Sequence, residues 1–357
     1  MKLIKRVEIQ KFRSIRDASL DDLGDFSALA GLNNSGKSNF LRAINVFFNG
    51  KVEGDVPLEI ERDYYRQEEQ SKKKKTIRIK VSFDLPEIFK FRAKLESIEK
   101  LLGRSFTITK VWTRDSLEPT IYINDDTNAV NREDQDKVKI FLSLIAFRYI
   151  PNRVIPTEMI FREQQALRDV LIRRLARFKK QSDEVFQGIR HTAEALVGPL
   201  ASEIRKIAPD ISQVRLATAS SFADLAFKFG YRLQEDEAEM QDNEQGSGMQ
   251  SLLMFQTLHL IDRDYFQKFG WKQAAIWAVE EPESSLNTAL EVQVARFLAL
   301  VSKTMTGRLQ IIATTHSDLM IQYADKGYYV DKQKVPTLTK ARSTLAKAEG
   351  TRDLLEH

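Results

Sequence analysis

The stretch Gly31-Leu32-Asn33-Asn34-Ser35-Gly36-Lys37-Ser38 constrains this chain more than any other, because it fits the phosphate-binding pattern G-x-x-x-x-G-K-[ST]. Glycines let such a loop curl until successive backbone N–H groups point inward at phosphate oxygens. The pattern makes Asn33, Asn34, Ser35, Gly36, Lys37, Ser38 and Asn39 the nucleotide-binding residues. Lys37 is placed to reach the β- and γ-phosphates, and the Ser38 hydroxyl to hold Mg²⁺. The flanks agree with that reading. Phe26 to Ala30 is an apolar run of strand length, and Phe40, Leu41, Ile44, Phe47 and Phe48 recur at helical spacing until Gly50. Strand, loop and helix in that order are the context the motif requires.

Composition narrows the setting. The chain has 357 residues, enough for one large domain or two. It has no cysteine, which excludes disulfides, thiolate metal sites and thiol nucleophiles, and its four histidines are scattered. No apolar run approaches the roughly 20 residues that span a bilayer. The N-terminus lacks the long apolar stretch of a secretory signal, so a cytoplasmic protein without a membrane partner is expected. Net charge is +5, unevenly spread. Lys72 to Lys75 form a tetra-lysine run, and Arg162 to Lys180 is strongly basic, whereas Glu235 to Glu244 is acidic. The basic stretch is the natural place for contact with a nucleic-acid backbone.

Strand-like alternation opens at Val7 and Ile9 and returns at Ile77–Phe83, Phe106–Trp112 and Ile121–Ile123. The polar partners Arg78, Lys80 and Ser82 indicate an antiparallel sheet with one wet face. From Glu158 to about Ile207 the period becomes helical, too short and irregular for a coiled-coil arm. Short strands are expected near Val214–Leu216 and Phe222–Phe229, then a helix over Met249–Ile261. The last third reads as α/β: strand Ala274–Val279, helix Thr288–Val301, strand Leu309–Ala313 and a short strand Gly327–Val330. The resulting lobes are 1–150, carrying the phosphate loop and antiparallel strands, 151–210, a helical insertion, 211–330, carrying the segments around Ser247, Glu280 and His316, and a polar tail over 331–357.

Three further segments complete a chemical constellation. The buried strand Ala274–Val279 runs into Glu280-Glu281-Pro282-Glu283, the Walker B arrangement of apolar strand and paired carboxylates. Glu280 is suited to hold Mg²⁺ through its hydration shell, and Glu281 to orient and polarise an attacking water. His316, in Thr314-Thr315-His316-Ser317 after the next buried strand, would sense the γ-phosphate. Gly246-Ser247-Gly248-Met249-Gln250 opens a helix, where free N–H groups and the helix dipole favour an anion, and Ser is equally apt as an N-cap.

Together these segments resemble a family. Gly246 to Gln250 resembles the ABC signature sequence, and Glu280-Glu281-Pro282-Glu283 resembles the Walker B form of the OLD (overcoming lysogenization defect) family and related SMC-like ATPases. Phe12-Arg13-Ser14-Ile15 and Tyr149-Ile150-Pro151-Asn152-Arg153 are similar to stretches of the same domains. The resemblance covers roughly residues 1 to 330. It implies an α/β, ABC-type P-loop NTPase head with an antiparallel β subdomain and a helical insertion and signature subdomain. It also implies ATP and Mg²⁺ sandwiched in a homodimer. One protomer would supply Lys37, Glu280, Glu281 and His316, and the other Ser247 and Gly248, with Gln250 beside them. The family pattern further implies work on DNA, in antiviral defence, with a nuclease.

Several features depart from that pattern. Ser284-Ser285-Leu286-Asn287 stands where His-Pro is usual, and the Q-loop glutamine has only Gln67 and Gln70 as candidates. About forty residues follow His316, too few for a Toprim nuclease. Leu355-Glu356-His357 has the look of a cloning remnant, so a nuclease is expected downstream in a longer native chain or on a separate partner. Alternatives are a RecF-like DNA repair ATPase, a slow-hydrolysing nucleotide-gated scaffold that recruits an effector, and a transporter-coupled subunit.

Overall fold

The computed structural model describes residues 2–66, 75–91, 95–116, 118–152, 247–264, 266 and 272–332, with isolated residues between 184 and 191 and the backbone of 232–235, 238–241 and 339–343. The chain divides into two units, residues 1–156 with 246–357, and residues 157–245. In the second unit a two-stranded hairpin, β10 (Arg232–Glu235) and β11 (Ala238–Gln241), is described. The helical stripe expected over 158–207, the strands at 214–216 and 222–229, the basic stretch 162–180, Gln67, Gln70 and Lys72 to Lys74 lie outside the described residues.

The first unit opens with β1 (Ile4–Phe12), β2 (Ile15–Asp21), β3 (Phe26–Ala30) and α1 (Lys37–Asn49). A small hairpin follows, β4 (Lys51–Glu53) with β5 (Val56–Pro57), then α2 (Ile60–Asp63), β6 (Thr76–Asp84) and α3 (Glu96–Leu102). Next come β7 (Ser105–Thr113), β8 (Thr120–Ile123), α4 (Arg132–Ser143) and β9 (Ile145–Ile150). After the second unit the chain returns as α5 (Ser247–Asp264), β12 (Ala274–Glu280), α6 (Thr288–Thr304), β13 (Leu309–Thr315), α7 (Asp318–Tyr323), β14 (Lys326–Lys332) and β15 (Thr339–Ser343).

Two sheets result, and the hydrophobic pattern says which strand goes where. β3, β12 and β13 are buried at every residue. Strands covered on both faces read as continuous apolar runs, which suits a parallel sheet with helices against it. They form the centre of a six-stranded sheet ordered β15-β14-β3-β13-β12-β9, parallel except for the edge pair β14–β15. β6 instead alternates buried and half-exposed residues. It lies inside the antiparallel sheet β2-β1-β6-β7-β8, one face packed and one wet.

α1 packs against β1 and β6 of one sheet and β9, β12 and β13 of the other, burying Phe40, Leu41, Ile44 and Phe47. Gly50, left-handed at φ 69°, closes it by donating its N–H to the Val46 carbonyl. Gln310 of β13 joins the layers by polar contact. Its amide donates to the carbonyls of Ile4 (2.8 Å) and Gly24 (3.0 Å), and its oxygen accepts from Ile4 N–H (2.9 Å). The differences from the sequence reading are modest. α5 starts at Ser247, two residues early, and β15 falls inside the stretch read as a polar tail.

Lys110 of β7 lies over Phe47 and donates to its carbonyl at 2.7 Å, satisfying an orphan acceptor in the last turn of α1. Burial, reinforced by Lys139, pushes its ammonium down to about 8. Because the folded value lies below the unfolded one, the unfolded chain binds more protons between the two, and stability rises with pH across that window. In urea unfolding from pH 8 to 10.5, the wild type should gain roughly 2 kcal/mol relative to Lys110→Met. A flat difference across that range would contradict the burial of a charged ammonium.

Candidate functional site

β3 delivers the chain into the phosphate loop against the neighbouring strand β14. At Gly31, φ is 150°, and a Cβ there would sit 2.2 Å from the Val330 carbonyl oxygen. Only glycine fits. Asn34 adopts the left-handed region at φ 60°, which asparagine tolerates better than most residues, and Ser35 N–H closes the loop onto the Leu32 carbonyl at 3.2 Å. Asn39, in the first turn of α1, donates to Ser14 at 2.8 Å and so ties the loop to the β1–β2 connection.

Lys37 is buried, and its ammonium is fully engaged. It donates to the carbonyls of Gly31 (2.9 Å) and Leu32 (3.1 Å) and lies 3.0 Å from His316 Nε2. A lysine has three donors and no acceptor, so His316 Nε2 is the acceptor and the ring proton sits on Nδ1. Burial lowers the Lys37 pKa, against the opposing pull of Glu281 and Glu283.

The acidic turn after β12 explains how His316 arrives there. Pro282 has no N–H to continue the ladder, and Glu281 turns out of the strand at φ 44°. Its N–H donates to the Thr314 carbonyl at 2.9 Å, and its carbonyl accepts from Ser284 N–H at 2.9 Å. The Glu281 carboxylate then reaches His316 Nε2 at 3.4 Å and accepts from the Asn152 amide at 2.7 Å. Glu283 clamps the next strand, accepting from Thr315 Oγ1 (2.7 Å) and His316 N–H (2.6 Å). The third acid thus holds the histidine turn beside the phosphate loop, a role the sequence reading missed.

Glu280 ends β12, 7% exposed, and accepts from the Tyr149 hydroxyl at 2.8 Å. Burial, then the Glu280 charge, drive the Tyr149 phenol well above its ordinary range, so it stays a donor. Arg42 of α1 lies 3.4 Å from Glu280 and also pairs with Glu53 at 3.0 Å. The residues of loop 33–39, Arg42, Glu281 and His316 line one polar cavity of about 140 Å³. Of the residues named from sequence, Asn33, Asn34, Ser35, Gly36, Lys37, Ser38, Asn39, Glu281 and His316 are therefore assembled in one place.

Ser247, Gly248 and Gln250 are not among the residues lining that cavity. Ser247 is exposed at the start of α5 and donates to the Ser285 carbonyl at 3.3 Å. Gly248 is buried, and a Cβ there would meet Leu290 Cδ1 at 2.7 Å and Leu286 Cδ2 at 3.1 Å. The far end of α5 is fastened to the central sheet. Asp262 accepts from Arg148 of β9 (2.7 Å) and from the Trp277 indole of β12 (2.8 Å).

A strand–loop–helix phosphate loop sharing its cavity with Glu281, from the carboxylate pair at the end of a parallel strand, defines a P-loop ATPase. More specifically, the sequence profile of the AAA ATPase domain matches residues 1–145 and 157–321, and the chain belongs to that family. Two uncharacterized proteins of Methanocaldococcus jannaschii are similar over short stretches. MJECL44 is 36% identical over 96 residues, 26% of this chain and 28% of the relative. MJECL10 is 39% identical over 49 residues, 14% and 22% respectively. The chain thus matches less than a third of the length of either curated relative.

Among solved structures, an Smc head bound to the C-winged helix domain of ScpA superimposes with a TM-score of 0.57, at 16% identity, over 96% of this chain and 98% of that one. An Smc head domain with an extended coiled coil, from Pyrococcus furiosus and bound to the C-terminal domain of ScpA, gives 0.56 at 14% identity over 96% of each. The fold is that of an SMC-like, ABC-type ATPase head. Among the described residues, no helix is long and apolar enough to cross a membrane.

Proposed function

We propose that this chain binds Mg·ATP in the cavity over the phosphate loop and hydrolyses it between two copies of itself. The observation that carries the reading is the convergence of Lys37, Glu281 and His316, 279 residues apart at the extremes, on one polar cavity beside the loop. Ser38 and Glu280 would hold Mg²⁺. One hydroxyl and one carboxylate, completed by water and phosphate oxygens, is the sparse donor set that ion prefers. When bound, it neutralises charge on the phosphates.

Lys37 must release one of its three partners, a loop carbonyl or His316, to take a phosphate oxygen, and release of His316 couples nucleotide entry to the freeing of the histidine. His316, once freed, donates to the γ-phosphate when its ring proton moves from Nδ1 to Nε2. Glu281 accepts a proton from the attacking water as its oxygen bonds to the γ-phosphorus and the bond to the ADP oxygen breaks. Ser247, exposed at a helix N-terminus, supplies donors to the γ-phosphate held by the partner copy. Hydrolysis removes that bridge and loosens the pair.

The similarity of the signature and Glu-Glu-Pro-Glu segments to the OLD family supports a DNA-directed role in antiviral defence, with a nuclease tethered or separate. The basic residues Arg173, Arg174 and Arg177 are the proposed contact to the DNA backbone.

Lys37→Ala tests the reading. Removing an ammonium that contacts phosphate should weaken ATP binding by about ten- to hundredfold in equilibrium titration. Unchanged affinity, with the fold intact by circular dichroism, would reject it.

A further inference from the structure

β9 runs parallel beside β12, with Ile150 opposite Val279, and Pro151 then ends the pairing. Within five residues this strand reaches three functional elements. Arg148 is bound to Asp262 of the signature helix α5, Tyr149 to Glu280, and Asn152 to Glu281. The two acids are held differently. Glu280 has the Arg42 guanidinium within 3.4 Å, whereas the contact from Asn152 is a neutral amide at 2.7 Å. His316 Nε2, spending its lone pair on Lys37, cannot also donate to Glu281. The neutral amide of Asn152 fixes the rotamer of the Glu281 carboxylate by its hydrogen bond.

We infer that Asn152 is a positioning residue for Glu281, orienting the carboxylate toward the attacking water; the inference rests on Glu281 being the base. The chain passes from Asn152 into the second unit within five residues, so the segment that orients the base is also the covalent lead into that unit.

The test compares Asn152→Ala, Asn152→Gln and Asn152→Asp for steady-state ATP hydrolysis and nucleotide affinity. Asn152→Ala should lower kcat about tenfold or more with affinity unchanged. Asn152→Asp, which replaces the donor by a like charge beside Glu281, should lower kcat further, and Asn152→Gln should restore part of the rate. In a Glu281→Gln background, Asn152→Ala should cost nothing more, because the two act as one unit.

Wild-type kcat in Asn152→Ala overturns the role of Asn152, as does an equal loss in the Glu281→Gln background. If Glu281→Gln itself retains full turnover, it is the base assignment that fails. Asn152 is exposed, so the variants should melt within a few degrees of wild type.

Discussion

Glu281→Gln should reduce kcat by about a hundredfold to ten-thousandfold while ATP still binds. The substitution keeps volume and keeps an oxygen for the Asn152 amide, so the turn that begins at Glu281, with its N–H on the Thr314 carbonyl, is preserved. What it removes is the proton acceptor. It also removes a negative charge 3.4 Å from His316 and close to Lys37, where phosphate is expected to sit, so binding should hold or tighten. Held in the triphosphate state, the variant should accumulate as an ATP-dependent dimer in sedimentation. Loss of nucleotide affinity with an intact fold, or turnover at the wild-type rate, would remove Glu281 from the role given to it.

Gly31→Ala should be the most damaging substitution in the phosphate loop, by about 3 kcal/mol or more in denaturant midpoint analysis. The new methyl would lie 2.2 Å from the Val330 carbonyl oxygen, and the backbone is already at φ 150°. That oxygen belongs to β14, which pairs with β3 through Tyr329 and Ala30, so relief requires moving a sheet strand. Gly248→Ala is the control. Its methyl meets only the tips of Leu290 and Leu286, which can turn aside, and the cost should stay near 1 kcal/mol. Equal losses at the two glycines would show that the Val330 contact is not what selects glycine at position 31.

The elements legible in the sequence were those whose burial is simple. β3, β12 and β13 are buried on both faces and appear as apolar runs, β6 alternates, and α1 keeps helical spacing up to Gly50. β9 was not read as a strand. Its burial, with only the end residues fully covered, gives Ile-Ala-Phe-Arg-Tyr-Ile neither period. The site divides in the same way. Lys37, Glu281 and His316 sit in local motifs, but Asn152, Tyr149, Arg42 and Glu283 matter through pairings made in space. Tyr149 meets Glu280 across 131 residues and Asn152 meets Glu281 across 129. A signal for Asn152 did exist, in the proline that ends an apolar-edged segment just before a polar amide, but nothing local says which carboxylate it will face.

The composite site is tested most directly by mixing two inactive variants. Lys37→Ala disables the phosphate loop, and Ser247→Arg blocks the signature helix start, so neither should hydrolyse ATP alone. In a two-fold dimer each mixed pair contains one site with both parts intact, and equal mixing should restore about a quarter of wild-type turnover. A mixture as inactive as its components, or a Ser247→Arg protein that hydrolyses ATP normally alone, would contradict a site shared between two copies.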